Sequence, residues 1–328
     1  MQNDDTALTS VETSAQRPLR ERIGLVVSGT DAKTAVAAIM AAEAAGVYQI
    51  WMTQSTPQPD TLTIFAAAAV QTQYVHMGTA IVPTYPRHPL ALAQQVLTLH
   101  DLAPDRLRLG IGPSHRPIIE GMYGLAMPTP MEHLREYVGI LRVLLWDGKI
   151  EHTGRFYTIK STLPRTPHTP ILISALREGA YYVAGEVADG AISWVSPVPY
   201  LLNRALPALR AGAARAARPV PPLIAHIPVA LSEDRPAVLA ATRKQIGRYG
   251  RLPFYASMFA EAGFPVSEDG AMSDALLDSL VISGSEATVT ARLTELLHSG
   301  LDELLVMSIA VTNSEEEQTR LARLVGQI

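Results

Sequence analysis

The sequence predicts a closed barrel of eight parallel strands surrounded by helices, the (β/α)8 TIM barrel of the α/β class. From Arg22 onward, short apolar segments alternate with amphipathic helical patterns eight times. The predicted strands are almost continuously apolar, which is typical of a parallel sheet covered on both faces. The 328 residues accommodate a barrel of roughly 250 residues plus insertions. An open, doubly wound sheet is the alternative fold for the same alternation.

The eight predicted strands are rich in Val, Ile and Leu and read, in order, RIGLVV, YQIWMT, HMGTAIV, RLRLGIG, PILIS, DGAISWV, PPLIAHIPVAL and LDELLVMSI. The first helix follows the capping candidates Thr30 and Asp31 and ends at Gly46. The second helix begins after Asp60, and Pro104 ends the third. Four further helical patterns are TPMEHLREYVGILRVLLWDG, REGAYYVAGEVA, PYLLNRALPALRAGAARAA and SEEEQTRLARLVGQI.

Two stretches exceed what a minimal barrel needs, and we predict insertions at 113–165 after the fourth strand and at 250–283 after the seventh. No repeat or linker divides the chain, so 21–328 is predicted to be one domain. Residues 1–20 are polar and lack the cationic start and apolar centre of a signal peptide. We expect them to be a disordered tail on a cytoplasmic protein.

Composition excludes several classes of function. The net charge of −4 comes without a basic run, which argues against a nucleic-acid partner. No apolar stretch reaches 18 residues, so no membrane span is expected. The absence of cysteine excludes disulfides, thiolate metal sites and cysteine nucleophiles. No metal-ligand spacing and no glycine-rich dinucleotide motif after the first strand is present, so neither a metal nor a Rossmann site is predicted.

The chemistry of a barrel of this kind lies at the carboxyl ends of its strands. The segment GTAIVPTYPRHPLALAQQ leaves the third strand through three prolines within seven residues. We predict that this stiff turn holds Tyr85, Arg87 and His88 over the mouth as part of a substrate pocket. The alternative is that a crowded turn uses proline only for rigidity.

Two residues at the end of the sixth strand, Trp194 and Ser196, are further candidates for the substrate pocket. An indole can wall a pocket, but a packing role at the barrel top is an open alternative. His226 lies within the seventh strand, where we expect a core histidine with its hydrogen bonds satisfied.

Five segments, taken in order, resemble the luciferase-like monooxygenase superfamily, and most closely its branch of oxidoreductases that use the deazaflavin coenzyme F420. They are GTAIVPTYPRHPLALAQQ, RLRLGIGPSH, TGRFYTI, PILISALREGAYYVAGEVADGAISW and DELLV, spread over 22–310. The resemblance implies the same barrel, F420 in its mouth, hydride transfer to or from a small molecule, and a homodimer. A monooxygenase using flavin mononucleotide (FMN) is the near alternative, and a cofactor-free barrel is the distant one.

The same resemblance implies where the cofactor binds. Members carry a non-prolyl cis peptide in the third strand, here Ala80–Ile81, against the middle ring of the cofactor. Other implied cofactor contacts follow the second, fourth and fifth strands: Thr53, Gly112, Pro113, Ser114, Ser174, Ala175, Leu176, Arg177, Glu178 and Gly179. Relatives usually have a glycine-rich turn after the fifth strand, and here Arg177 offers a charge-assisted contact to phosphate instead. Alternatively, Arg177 and Glu178 form a solvated pair and the phosphate site is lost.

Two residues are candidates for handling protons. His115 resembles in position a glutamate general acid of the F420-dependent glucose-6-phosphate dehydrogenases, and its ordinary pKa near 6.5 suits proton exchange at neutral pH. A histidine making a local hydrogen bond at the rim is the alternative. Gln54 and Ser55 stand where those enzymes have a catalytic histidine, which argues against sugar oxidation and favours reduction of C=C, C=N or C=O. Gln54 either contacts the substrate or is an ordinary loop residue.

Overall fold

A computed structural model describes residues 17–54 and 57–328. Eight parallel strands form a closed barrel, which confirms the predicted fold and excludes the open sheet. The barrel closes through the first and eighth strands, where Ile23 lies opposite Leu304. The strands are Ile23–Val26, Gln49–Met52, His76–Thr79, Leu107–Gly112, Ile171–Ser174, Gly190–Ile192, Leu223–Ala230 and Glu303–Ser308.

Helices surround this barrel, and two predicted caps are present: Asp31 accepts from the amide of Thr34, and Asp60 from that of Thr63. The helices are Leu19–Arg22, Ala32–Ala44, Thr61–Ala69, Pro89–Leu102, Arg116–Ile119, Pro130–Arg142, Glu178–Val187, Val198–Tyr200, Leu206–Arg215, Arg235–Ile246, Pro253–Glu261, Asp274–Leu280, Glu286–His298 and Ser314–Gln327. Within the described ranges, none of them is long and apolar enough to cross a bilayer.

Both predicted insertions are present. The one after the fourth strand contains the helix Arg116–Ile119 and an antiparallel hairpin of Lys149–Thr153 with Thr158–Thr162. The one after the seventh strand contains a 3-10 turn at Gly247–Arg251, followed by two helices. Each leaves from the carboxyl end of a strand, so each brings side chains to the mouth of the barrel.

The predicted boundary of the disordered tail, at residue 20, is wrong by a few residues. Residues 1–16 lie outside the described part of the chain, but 17–20 are ordered, and a helix begins at Leu19. Arg17 forms an ion pair with Glu303, whose carboxylate is fully buried at the start of the eighth strand. The sequence gives no local sign of this pairing, because its two partners are separated by 286 positions.

Trp51, in the second strand, lies in the interior of the barrel. Its indole is fully buried, and the neighbouring strands place Gly24 and Gly78 against it. A Cβ at Gly24 would lie 2.5 Å from the indole nitrogen, and one at Gly78 would overlap the six-membered ring. Trp51 belongs to a buried apolar cluster whose other members are Ala80, Leu172, Ile192, Ile224 and Leu305. The interior of the barrel is therefore a packed core.

Candidate active site

The third strand ends in a non-prolyl cis peptide between Ala80 and Ile81, as the family resemblance led us to expect. Just before it, the Thr79 hydroxyl donates to the carbonyl of Gly110 at 2.7 Å and accepts from its amide at 2.8 Å. A Cβ at Gly110 would overlap the Thr79 carbonyl, so glycine is required there. These contacts join the third and fourth strands just below the mouth.

The proline-rich turn after the third strand is braced by its own side chains. Tyr85 stacks on His133 with ring centroids 4.0 Å apart, and Arg87 forms an ion pair with Asp60 at 2.6 Å. The His88 ring accepts a hydrogen bond within the first turn of the next helix. These contacts fit the alternative in which proline and side-chain contacts keep the turn rigid, and a substrate-pocket role for the three side chains stays a prediction.

The turn after the second strand holds the start of a helix. The side-chain oxygen of Gln54 accepts from the amide of Thr61 at 2.7 Å, and the carbonyl of Thr53 accepts from the Thr61 hydroxyl at 3.2 Å. The Gln54 side-chain oxygen is therefore engaged in capping, which favours the ordinary loop role over the catalytic one. Ser55 lies outside the described residues.

The fourth strand opens into the mouth through Gly112, Pro113 and Ser114. A Cβ at Gly112 would lie 2.1 Å from the Ser174 hydroxyl oxygen, so a larger residue here would have to displace that side chain of the fifth strand. Ser114 adopts a left-handed conformation with φ of 62°. His115 follows, half-exposed, at the start of a short helix.

The environment of His115 keeps its imidazole neutral. Its ring centroid lies 5.9 Å from that of Tyr255, which comes from the insertion after the seventh strand. Burial lowers the pKa of His115, and the positive charge of Arg248 lowers it further. At pH 7 the ring is therefore predominantly neutral, and it gains its proton only as the solution becomes acidic.

A continuous aromatic wall extends from His115 across the mouth. Trp194 stacks on His226 at 3.8 Å between centroids, and its indole N–H donates to the Tyr249 hydroxyl at 2.8 Å. Tyr249 in turn packs against Tyr255 at 4.8 Å. The sequence identified Trp194 but missed both tyrosines; their signal is the run RYGRLPFY, which lies where the second insertion begins.

Two buried residues support this wall. Ser196 is only 3% exposed and donates to the carbonyl of Trp194, so it packs beneath the mouth and does not line a pocket. His226 is 1% exposed; its Nδ1 accepts from the amide of Val195 at 3.2 Å, whereas Nε2 has no partner in the described part of the chain. The expectation of a fully satisfied core histidine is thus half correct. Burial lowers the pKa of His226 to about 3.

Substituting His226 by phenylalanine is expected to make the protein less sensitive to acid. The pKa of His226 is lower in the folded protein than in the unfolded chain. Below pH 6.5 the unfolded chain therefore binds a proton at this residue, whereas the folded protein does not. Stability is therefore lost as pH falls, by about 2 kcal/mol between pH 7 and pH 5 for this one group. Urea unfolding at both pH values should show that the variant loses that much less than the wild type. The exposed His298→Phe variant is the control, and equal losses in all three proteins would refute the assignment.

In the turn after the fifth strand, Arg177 and Glu178 each pair with a residue from elsewhere in the chain, and the contact of Arg177 with a phosphate stays a prediction. Arg177 forms an ion pair with Glu261, and Glu178 pairs with Arg204 at 3.4 Å. They do not form a solvated pair with one another. Arg177 is the N-terminal cap of the helix Glu178–Val187, and the space around Gly179 is open. The first-turn amides of such a helix lack partners within the helix, and they suit an anion.

Both the sequence and the fold of this chain are similar to those of known proteins. A family model described as luciferase-like monooxygenase matches residues 14–303. An F420-dependent glucose-6-phosphate dehydrogenase of Nakamurella multipartita is 32% identical over 206 residues, 60% of each chain. An F420-dependent secondary alcohol dehydrogenase with an F420–acetone adduct superposes with a TM-score of 0.78 at 17% identity, covering 92% of this chain and 97% of that one. The FMN-bound oxygenating constituent of 3,6-diketocamphane monooxygenase from Pseudomonas putida gives 0.73 at 17% identity, covering 93% and 96%. These two structural likenesses establish a shared barrel fold.

Proposed function

Because the chain belongs to the luciferase-like monooxygenase family, we propose that it is a coenzyme F420-dependent oxidoreductase that reduces a small organic acceptor. The observation that carries this proposal is the joint placement, at one mouth, of a half-buried imidazole, an aromatic wall and an open helix N-terminus. A relative that matches 60% of the chain uses the same coenzyme. Together these features provide a proton source, a flat enclosed surface and an anion site.

The residues at the mouth fit this coenzyme. The amides of the helix that starts at Glu178, with the open space at Gly179, would hold its phosphate. Arg177 would contribute its guanidinium by exchanging Glu261 for the phosphate. Ala80 and Ile81 would support the ring, and Trp194 would wall the space above the floor. When bound, the deazaflavin supplies a hydride donor.

The residues of this chain would supply a proton and exclude water. His115 is the proton donor to the acceptor, because it is a half-exposed imidazole that contacts the aromatic wall, whereas burial raises the pKa of Tyr255 and His226 is buried. Trp194, Tyr249 and Tyr255 shield that proton transfer from solvent. Reduction is the favoured direction, since Gln54 is committed to capping a helix and offers no base after the second strand.

The competing function is an FMN-dependent monooxygenase, favoured by the FMN-bound structure of the same fold. The two functions differ in what happens to oxygen. Purified protein should oxidise reduced F420 under nitrogen when given an activated alkene, imine or ketone. It should not consume oxygen with reduced FMN faster than the protein-free control. Oxygen uptake that requires the protein and FMN would favour the monooxygenase and contradict our proposal.

A further inference from the structure

One cation at the mouth is held in a fixed position by its neighbours. Arg248, in the turn Gly247–Arg251, donates from Nη1 to the carbonyl of Gln245 at 2.8 Å. Its guanidinium carbon lies 4.8 Å from the centre of the Tyr249 ring, and Nη2 lies 3.4 Å from the Tyr249 hydroxyl. That hydroxyl accepts the hydrogen bond from Trp194. The guanidinium is therefore anchored along the edge of the aromatic wall.

This cation lacks the carboxylate partner that two other arginines of the same segment have. Arg235 pairs with Asp278, and Arg243 pairs with Asp274, in the same part of the chain. Among residues 17–54 and 57–328, no carboxylate lies within ion-pair distance of Arg248, although the side chain is exposed. An oriented guanidinium with free donors is a ready site for a carboxylate, which it can bind through two parallel hydrogen bonds.

The position of Arg248 connects it with the proton donor. Ring contacts link Tyr249 to Tyr255 at 4.8 Å and Tyr255 to His115 at 5.9 Å. The charge of Arg248 also reaches His115 and disfavours protonation of its ring. A negative group bound at Arg248 would offset that charge, so binding of an anionic substrate would itself make His115 a better proton donor.

We propose that Arg248 binds the carboxylate of the acceptor substrate, so that the enzyme reduces unsaturated, imino or oxo carboxylic acids. This inference rests on the proposed function for its chemistry, but the anion site itself is separable from the coenzyme. The single positive charge of the guanidinium matches a singly charged carboxylate, and its planar donors match the two oxygens of that group. The aromatic wall beside it suits the flat, conjugated part of the same molecule.

The test uses benzoate as the probe and benzamide as its uncharged match, at low ionic strength, where screening is weakest. Binding is followed by quenching of intrinsic tryptophan fluorescence. The wild type should bind benzoate roughly tenfold more tightly than benzamide, as expected for one charge-assisted contact. Arg248→Gln should abolish that preference, and Arg248→Lys should restore part of it. Arg243→Gln changes the net charge equally but neutralises an arginine already paired with Asp274, so its preference should match the wild type.

Three results would overturn the proposal: equal binding of the two probes to the wild type, an unchanged preference in Arg248→Gln, or an equal loss in Arg243→Gln. Titration of the same variants with F420 separates this question from the proposed function. If the wild type fails to bind F420 yet prefers benzoate through Arg248, the proposed function fails and the anion site stands. If Arg248→Gln weakens F420 and leaves the benzoate preference intact, Arg248 serves the coenzyme and the substrate site is refuted.

Discussion

The His115→Ala variant is expected to reduce acceptors about 100-fold more slowly than the wild type, within the range of roughly 10²–10⁴ for loss of a general acid. The residue lies at the rim of the mouth and not in the floor, so binding of F420 should change little. The measurement is the turnover number with saturating reduced F420, alongside the dissociation constant of the oxidised coenzyme. A His115→Glu variant is the matched control, because it keeps a side chain at this position that can carry a proton.

The role of His115 as a proton donor also predicts how the rate of reduction depends on pH. Burial, and then Arg248, lower the pKa of His115, so the protonated ring becomes more abundant as pH falls below neutral. The rate constant kcat/KM for reduction should therefore rise on acidification in the wild type and stay flat in His115→Ala. Unchanged turnover in the alanine variant, or the same pH profile in both proteins, would remove the proton role from His115.

The Arg108→Ala variant is expected to lose about 3 kcal/mol of unfolding free energy at pH 7, the lower end for breaking a buried ion pair. Arg108 lies 3.2 Å from Glu303 through Nη2 and sits 5.2 Å above the ring of Trp51. Without it the fully buried Glu303 loses one of its cationic partners, although its ion pair with Arg17 remains. Urea unfolding measures the loss, and Arg165→Ala, which breaks the exposed pair with Asp101, should cost under about 1 kcal/mol.

The difference in unfolding free energy between the wild type and Arg108→Ala should become smaller as the pH falls. Although burial alone would raise the pKa of Glu303, its arginine partners and their hydrogen bonds lower it overall. A carboxylate with a depressed folded pKa contributes its full stability above its unfolded pKa, and that contribution is lost as pH falls through the folded value. A difference that stays constant from neutral to acidic pH would show that Arg108 stabilises by packing on Trp51 and not by charge.

The barrel could be predicted because it follows from local pattern, and the candidate site at its mouth follows from the barrel. Eight apolar runs between amphipathic helices define the fold, and Trp194 and His115 were identified because each follows the end of a strand. The stacking of Tyr85 on His133 could not be predicted, because His133 lies 48 positions further on, in the helix Pro130–Arg142, and periodicity does not show which elements come together. Tyr249 and Tyr255 were missed for the same reason: they reach the mouth only through the folding of the second insertion.

The partners of the charged side chains could not be predicted from the sequence either. Arg177 and Glu178 are neighbours and look like one pair, yet each finds its partner on a different helix, Glu261 and Arg204. Arg17 was predicted to lie in a polar tail, whereas it forms an ion pair with the buried Glu303. Local composition reports that a charge exists, whereas its partner is decided by which elements the closed barrel brings together.

The most direct test of the central claim is a fluorescence titration of the purified protein with F420 and, separately, with FMN. We predict saturable binding of F420 with a dissociation constant in the micromolar range or tighter, and much weaker binding of FMN. Preference for FMN would contradict the F420 assignment and direct attention to oxygen chemistry. Binding of neither would mean that the turn at Arg177 and Glu178 no longer accepts a phosphate, and the proposed enzyme function would then be wrong.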